Sequence, residues 1–566
     1  MSALKSFLKK FWLLWTACLL LLRPKRFINE YLYNIVDFRF YSESLKIYKA
    51  VLKKISQCST LGSKESLLIM AGKSMNISWL QIWVVFGAYF QIKGHKVFAI
   101  TAHENPIQNL YLKIFGFELL FLEDIGIDNE VIPSQIMVDI VKLSTFRDFK
   151  KYECLGIPLG KMALSTFSRQ RASGIMDLEN SESKKEVTYW VERLYKAWVV
   201  ASRLYDVKNI SMVFFTEVFM EEYGAFYYAA ILKNLNIVRF AGTIRDNAIV
   251  VQHLNRESDR THFSSISKKT WNEIVSKPIS EVIYSELEEN FSDRYGNRWA
   301  LSSRNQPNTK IMPLSQARRH LGVSDQEKIA VIYSHILYDT LFFNGEDIFE
   351  NYADWLVQSV RAACMNKKVR WFIKIHPSNL WRGELEYFHK GKYEEVRLIE
   401  EYIGQLPPHV TLVYPDTPIS PYTWLQLADF GITVRGTSGI ELGALGKAVI
   451  TAGSGRYEDI GFTINSNSVD EYLSILLKVP DISIPTDQEY EIARRFAYAT
   501  FCMKPFTIDF LLPKVKTGKK KIFNTDDLIY IANFSKDKEH LLNSLERFYT
   551  WSLDKNAVDF LNPWPG

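Results

Sequence analysis

Cysteine is scarce in this chain, with five residues in 566, and this scarcity argues against two kinds of site. The thiols lie far apart and never form a C-x-x-C pair, which disfavours both a disulfide framework and a cysteine-ligated zinc site. Widely spaced thiols fit a reducing compartment, so the sequence predicts a cytoplasmic protein. The five are Cys18, Cys58, Cys154, Cys364 and Cys502.

Motifs that define several other classes of protein are also missing. No D-x-D pair follows a predicted strand, and the sequence has neither a GxxxxGK[ST] phosphate loop nor H-E-x-x-H. P-loop kinases and zinc hydrolases are therefore poor fits, and no metal site is predicted. The formal net charge is only +6, because 69 Lys and Arg nearly balance 63 Asp and Glu. A nucleic-acid-binding protein usually has a stronger basic face, so nucleic acid is not an expected partner.

The start of the chain has no apolar run long enough to cross a bilayer. The uncharged stretch FWLLWTACLLLL covers only residues 11–22, whereas a spanning helix needs about 20 apolar residues. RPKR follows it, where a signal peptide would need small residues. Basic flanks around a Trp-rich stretch predict an amphipathic helix on an anionic leaflet, which would hold residues 1–26 at the inner face of the cytoplasmic membrane. The alternative is a helix packed on the protein's own core.

The rest of the sequence alternates between strand-like and helix-like segments. The pattern begins with SLLIMAG, SWLQIWVVFGAYFQIK and VFAITA, and a polar stretch, NRWALSSRNQPNTK, interrupts it. Such alternation predicts α/β domains with parallel sheets. We expect two Rossmann-like domains facing a central cleft, as in GT-B glycosyltransferases and some sugar-nucleotide epimerases. The predicted units are a membrane-associated segment at 1–45, an N-terminal acceptor domain at 46–300, a C-terminal donor domain at 301–485, and a helical crossover with a basic tail at 486–566.

Polar residues follow several predicted strands of the second half, and open α/β sheets bind ligands beyond the carboxyl ends of their strands. The segment RGTSG follows the strand FGITV and starts a helix, where free N–H groups and the positive end of the helix dipole can receive a phosphate. Glu441 would then reach a ribose hydroxyl; alternatively, Ser438 and Glu441 only cap the helix. The predicted donor-binding residues are Ser334, Asp339, Lys374, His376, Ser378, Arg435, Gly436, Thr437, Ser438, Gly439 and Glu441.

Activation of an acceptor would need a basic side chain from the first domain. Glu217 is the first candidate, because it directly follows the predicted strand SMVFFT at the edge where the cleft should open. Glu221, Glu222 and Glu104 are alternatives, and each of these carboxylates could simply cap a helix instead.

Three further side chains are candidates for contacts with the sugars. Arg245 and Asp246 follow the segment VRFAGTI and are expected to orient the acceptor, or else to form a plain ion pair. Tyr457 is expected to close over the base or the sugar of the donor, with a packed loop tyrosine as the alternative. Asp339 could instead be catalytic or hold a sugar hydroxyl.

The second half of the sequence resembles a known family over residues 325–475. The matching blocks are SHILYDTLFFNGEDIFENYADWLVQSV, KIHPSN and the segment from LPPHVTLVYPDTPISPYTWLQLADF to GITVRGTSGIELGALGKAVITAGSGRYEDIGFT. These blocks resemble bacterial capsule polysaccharide biosynthesis proteins of the retaining β-Kdo transferase type, and more loosely bacterial sialyltransferases. The resemblance implies a GT-B fold, a nucleotide-activated sugar donor, contacts from His376 and Ser438 to the donor phosphate, and no obligatory metal or other cofactor.

The function expected from these features is glycosyl transfer, with CMP-Kdo as the favoured donor and a capsule or surface glycan, or a glycolipid, as the acceptor. His376 and Glu217 are the predicted catalytic residues. Two other functions stay open: a sugar-nucleotide epimerase or hydrolase on the same fold, and a non-catalytic membrane assembly protein. Fold alone does not choose between them.

Overall fold

The computed structural model of the chain describes residues 65–72, 77–258, 261–296, 298–339, 341–385, 392–508 and 538–565. The predicted membrane-associated helix and the basic stretch KVKTGKKKI lie outside these ranges. The described residues form two sheets, each flanked by helices and dominated by parallel pairing. This topology confirms the predicted α/β fold with two Rossmann-like domains.

The first domain is built on a seven-stranded sheet. Six of its strands are β1 (Ser66–Gly72), β2 (Lys96–Thr101), β3 (Glu118–Phe121), β4 (Ile210–Phe215), β5 (Asn236–Gly242) and β6 (Ala248–Leu254). With β12 (Phe506–Thr507), the order is β12-β6-β5-β4-β1-β2-β3. β1 to β5 pair in parallel, and their apolar runs are buried because helices cover both faces. β6 turns back antiparallel to β5, a hairpin that the sequence pattern did not predict.

The helices of the first domain lie between its strands and cover the sheet. α6 is the longest of those described there, and Asn180 caps it by accepting the N–H groups of Glu182 and Ser183. The helices are α1 (Ile77–Ile92), α2 (Pro106–Ile114), α3 (Ser134–Lys142), α4 (Phe146–Lys151), α5 (Leu159–Arg171), α6 (Ser181–Val207) and α7 (Glu221–Leu232).

The second domain has a five-stranded, fully parallel sheet. Its strands are β7 (Ile329–Tyr333), β8 (Arg370–Lys374), β9 (Val410–Val413), β10 (Phe430–Thr433) and β11 (Ala448–Thr451), in the order β11-β10-β7-β8-β9. Its helices are α8 (Lys268–Ile274), α9 (Glu281–Tyr295), α10 (Ala300–Asn305), α11 (Leu314–Leu321), α12 (Tyr352–Met365), α13 (Asn379–Leu385), α14 (Glu394–Tyr402), α15 (Pro421–Leu427), α16 (Thr437–Ala444), α17 (Val469–Lys478) and α18 (Asp487–Tyr498).

The core of the second domain begins earlier in the chain than the sequence pattern suggested. Trp271, Ile283 and Phe291 are buried in the same hydrophobic cluster as Val331 and Phe372 of the second sheet. The segments that carry them, α8 and α9, therefore pack with the second sheet, although the predicted boundary was near residue 300. The spacing of the apolar side chains in α8 and α9 predicts helices, but it does not show which of the two sheets these helices cover.

The end of the chain crosses back to the first domain. After α18, β12 pairs antiparallel with β6, and α19 (Lys538–Leu553) packs against α1, with the rings of Phe86 and Phe548 4.4 Å apart. A fully buried ion pair between Lys504 and Asp559, 3.0 Å long, ties the crossover to this tail. Within the described ranges, no helix combines the length and the apolar character needed to cross a bilayer.

Candidate functional site

A cleft of about 920 Å³ lies between the two domains. Its walls come from the carboxyl ends of β7, β8 and β10 in the second domain and from the β5–β6 hairpin in the first. Its volume is in the range of small-molecule sites, which extends to about 1,000 Å³. His376 and Ser438, the pair on which the sequence prediction rests, both line this one cleft.

His376 is held so that one ring nitrogen is left for a ligand. Its Nδ1 accepts the backbone N–H of Ser378 at 3.2 Å and lies 2.7 Å from the Ser378 hydroxyl. Burial, with help from the nearby cations Lys374 and Arg382, lowers the pKa of His376 to about 3. A neutral ring whose Nδ1 is an acceptor carries its proton on Nε2. His376 is therefore a neutral hydrogen-bond donor in the wall of the cleft.

Two of the predicted donor-binding residues, Ser334 and Ser378, hold His376 in place. The Ser334 hydroxyl accepts the backbone N–H of His376 at 2.9 Å and lies 3.2 Å from the carboxyl of Glu395, to which it donates. Ser378 is buried against the imidazole, as described above. Both hydroxyls thus position the His376 loop. Burial raises the pKa of Glu395 to about 7.

The amino end of α16 opens into the same cleft at Gly436, Thr437 and Ser438. Gly436 precedes the helix in an extended conformation, and its N–H bonds the Thr433 hydroxyl at 3.1 Å. The first N–H groups of a helix have no partner within the helix, so this end can receive an anion.

Gly439 is required by packing beneath that turn. A Cβ at this position would collide with the Tyr457 hydroxyl, which donates to the Gly436 carbonyl at 3.0 Å. Tyr457 is buried and is not part of the cleft wall. Tyr457 therefore supports the start of α16, and this position matches the alternative of a packed loop tyrosine.

Arg456 is a cleft residue that the sequence reasoning missed. Its guanidinium donates to the Thr437 hydroxyl at 2.6 Å and lies 2.9 Å from Nε2 of His262. On the other side of the ring, His262 Nδ1 accepts the backbone N–H of Ser264 at 3.0 Å and lies 2.8 Å from the Ser264 hydroxyl. Both partners of Arg456 are neutral, and it forms no ion pair with any described residue. Burial lowers the pKa of Arg456 to about 10, and the nearby carboxylate of Glu441, which opposes this shift, is paired with Arg294.

Lys374 is a second buried cation, at the end of β8. It is only 4% exposed, lines the cleft and forms no ion pair within the described ranges. Burial alone lowers its pKa to about 8. The sequence prediction placed Lys374 near the donor, and the structure places it in the cleft wall.

Arg435 and Glu441 line the cleft but are already paired. The Arg435 guanidinium forms an ion pair with Asp347 and donates to the Phe343 carbonyl at 2.7 Å, which anchors the loop after β7. Glu441 forms a buried ion pair with Arg294 of α9 at 2.8 Å. These contacts fix the position of α16 and of its neighbouring loop. A ribose contact from Glu441 stays a prediction.

Of the three residues predicted to act on the acceptor, Glu217, Arg245 and Asp246, only Arg245 lies in the cleft wall. Glu217 is not in the cleft wall: its carboxylate accepts the N–H groups of Val218 and Phe219 at 2.8 and 2.9 Å, and burial raises its pKa. Arg245 lines the cleft, while its neighbour Asp246 does not.

Asp339 lines the second-domain wall. It forms an ion pair with Arg382 at 2.8 Å. Arg239 of β5, which the sequence reasoning did not select, also lines the cleft. Within the described ranges, no three His, Cys, Asp or Glu side chains come close enough to hold a metal ion.

Comparisons with known proteins give structural likeness only. No family model matches the sequence, and no curated protein matches it. The β-Kdo 2,4-transferase KpsC of Thermosulfurimonas dismutans is 13% identical, with 58% of this chain and 88% of that chain covered and a TM-score of 0.32. A UDP-GlcNAc 2-epimerase from Neisseria meningitidis, bound to UDP-GlcNAc, is 11% identical, with 85% and 99% covered and a TM-score of 0.27.

A glycosyltransferase from Rickettsia africae is 11% identical, with 78% of this chain and 95% of that chain covered and a TM-score of 0.25. All three scores lie below 0.5, so these likenesses support no functional assignment. The two-domain GT-B arrangement of this chain follows from its own sheets, its cleft and its returning C-terminal segment.

Proposed function

We propose that this protein is a GT-B glycosyltransferase that transfers a sugar from a nucleotide-activated donor to a glycan or glycolipid acceptor. CMP-Kdo is the favoured donor and a capsule or surface polysaccharide the favoured acceptor. The observation that carries the proposal is the charge of the cleft. Lys374 and Arg456 lack anionic partners among the described residues, and they line the same cleft as the open amino end of α16.

An uncompensated buried cation is costly unless an anion neutralises it. The phosphate of a nucleotide sugar would supply that anion at the start of α16. As the bond from the sugar carbon to the phosphate oxygen breaks, negative charge grows on the phosphate, and preorganised donors stabilise it by several kcal/mol. Nε2 of His376, Lys374, Arg456 and the Ser438 N–H are the groups proposed for this role.

Protein cations take the role that a metal ion has in other transferases, so we propose that transfer needs no metal. Activity that survives EDTA would support this, and activity restored only by a divalent ion would contradict it. Glu217 is retained as the proposed base. Its carboxylate would have to leave the Val218 and Phe219 amides to reach an acceptor, so Glu217→Gln is expected to lower turnover if that movement occurs. Unchanged turnover would remove Glu217 from the mechanism.

A position at the inner face of the membrane is proposed from the sequence of residues 1–26, with their basic flanks around a Trp-rich stretch. Such a position would bring the cleft near a lipid-linked acceptor. Co-sedimentation with vesicles that contain anionic lipid tests it, and a chain without residues 1–26 is the control. Equal binding by both chains, or binding by neither, would contradict it.

The experiment for the activity starts with a thermal-shift comparison of CMP, UDP and GDP, since a ligand that binds the native state raises its melting temperature. Transfer from the selected nucleotide sugar is then measured with His376→Ala, which is expected to lower turnover by about 10²-fold or more. His320→Ala is the control, because His320 is exposed on α11, and it should retain full activity. An isomerised nucleotide sugar formed without acceptor would favour an epimerase. No nucleotide binding would favour an assembly protein.

A further inference from the structure

Arg239 is a buried arginine in the cleft wall, and the described residues offer no hydrogen-bond partner to its Nε and Nη1 atoms. It lies in the middle of β5, between apolar neighbours, and is 6% exposed. Its Nε and Nη1 atoms are buried and form no hydrogen bond, and it forms no ion pair with any described residue. Directly opposite in the β5–β6 register, the amide of Gln252 also lacks a hydrogen-bond partner. Two side chains at one register position therefore have unsatisfied polar atoms, and of the two Arg239 lines the cleft.

The surroundings of Arg239 orient its side chain without neutralising it. The guanidinium carbon lies 5.1 Å from the Phe219 ring centre and 5.5 Å from that of Phe263. Aromatic faces attract a cation only weakly and do not neutralise its charge. Glu217 is near enough to act on the pKa of Arg239, but it bonds to its own backbone amides and makes no ion pair with Arg239.

A guanidinium in this state binds anions strongly. Burial of an unpaired charge is unfavourable, and a charge-assisted, bidentate contact with a carboxylate or phosphate recovers much of that cost. Arg239 belongs to the first domain, whereas Arg456, Lys374 and α16 belong to the second. The cleft therefore has cationic groups on both of its walls.

We propose that Arg239 forms a second anion subsite, which binds a carboxylate or phosphate group on the sugar or the acceptor while α16 binds the leaving phosphate. The proposal rests on the proposed function, because it assigns the first-domain wall of the same cleft. It predicts a substrate with two separate anionic groups, or a donor and an acceptor that each carry one.

Calorimetry on the full chain tests this subsite. The protein is first saturated with CMP and then titrated with the sugar acid Kdo, with the uncharged methyl ester of Kdo, or with glycerol 3-phosphate. We expect the carboxylate or the phosphate probe to bind at least about tenfold more tightly than the ester. In Arg239→Met this preference should disappear, while the affinity for CMP stays within about twofold. A preference that survives in Arg239→Met, or no preference in the wild type, would overturn the proposal.

Folding is controlled with a matched arginine. Arg193 of α6 is also partly buried in the first domain, but it is paired with Glu222 and Asp128. Arg193→Met removes the ion pairs to Asp128 and to the buried Glu222 and should lower the melting temperature, with no effect on the probes. Arg239→Met removes an unpaired charge, so its melting temperature should be equal or higher. A large decrease for Arg239→Met would make Arg239 a structural residue and overturn the subsite.

Arg239→Lys separates charge from geometry. Lysine keeps the positive charge but loses the planar fork, so part of the preference should remain. If the proposed function fails, no nucleotide will bind. Kdo and glycerol 3-phosphate can then still be compared with the methyl ester on the protein without nucleotide, so the subsite is tested separately.

Discussion

The carboxylate of Glu394, in the second domain, accepts the backbone N–H of Gly174, in the first domain, with both oxygens at 3.0 Å. The Ser173 hydroxyl also donates to it, at 2.6 Å. The next residue, Glu395, accepts from Ser334, which in turn holds the backbone of His376. In the first turn of α14, Glu394 thus joins the two domains, and Glu395 supports the His376 loop through Ser334.

Glu394→Ala should lower the free energy of unfolding by about 1.5 to 3 kcal/mol, because it leaves a buried N–H group without its charged acceptor. Urea unfolding measures this change. Glu400→Ala is the control on the same helix: Glu400 pairs with Lys392, and both side chains are more than half exposed, so the effect should stay below about 0.5 kcal/mol. Equal effects for the two variants would show that the contact between the domains adds nothing to stability.

The ion pair of Arg294 and Glu441 should show strong coupling. Removal of one partner leaves a buried charge, so Arg294→Met or Glu441→Leu alone should cost about 3 to 5 kcal/mol. The double variant should cost clearly less than the sum, because neither charge is then left unpaired. Urea unfolding of the four proteins gives the coupling energy. Additive costs would mean that the two side chains do not stabilise each other in solution.

His376 should make the folded state less stable in mild acid. Above its unfolded pKa of about 6.5 the ring is neutral in both states and has no effect. Below that pH the imidazole is protonated in the unfolded state but stays neutral in the folded state until the pH approaches about 3. The unfolded state therefore binds more protons, and the free energy of unfolding falls as the pH falls. Compared with His376→Gln, the wild type should lose up to about 1.4 kcal/mol more per pH unit between pH 6 and 4. Parallel pH profiles in urea unfolding would contradict a neutral buried ring.

Tyr457 should matter for folding more than for nucleotide binding. Tyr457→Phe removes the hydrogen bond to the Gly436 carbonyl and should cost about 1 kcal/mol, with nucleotide affinity within about twofold. Gly439→Ala forces a methyl group against Tyr457 and displaces the start of α16, so it should weaken both stability and nucleotide affinity. Thermal unfolding and calorimetry check the two variants. A large loss of affinity in Tyr457→Phe would restore the tyrosine to the donor site.

The sequence predicted the residues whose place follows from the rules of parallel sheets. His376 and Ser438 lie in one cleft because they follow β8 and β10, which pair in parallel with the two sides of β7, and the carboxyl ends of parallel strands meet at one edge. Arg456 was missed because it lies in an irregular loop after β11. No local pattern shows that an arginine lacks a carboxylate partner, since that depends on side chains distant in the chain.

Arg239 did have a signal in the sequence. It is the one charged residue in the buried strand NIVRFAG, and burial of an arginine without a partner is rare. The pairing of β12 with β6 could not be predicted, because it joins segments far apart in the chain. The packing of α8 against the second sheet also joins segments distant in the chain, so the early start of the second domain's core could not be predicted either.

The position of α19 on α1 affects the order in which the protein can be completed during synthesis. The apolar surface of α1 emerges from the ribosome before residues 93–537 are made, and α19, which packs against it, is made only after them. At bacterial-type elongation rates this delay is about 20 to 90 s. Nascent chains should therefore require a chaperone over this period, and chains that stall before residue 538 should aggregate through α1.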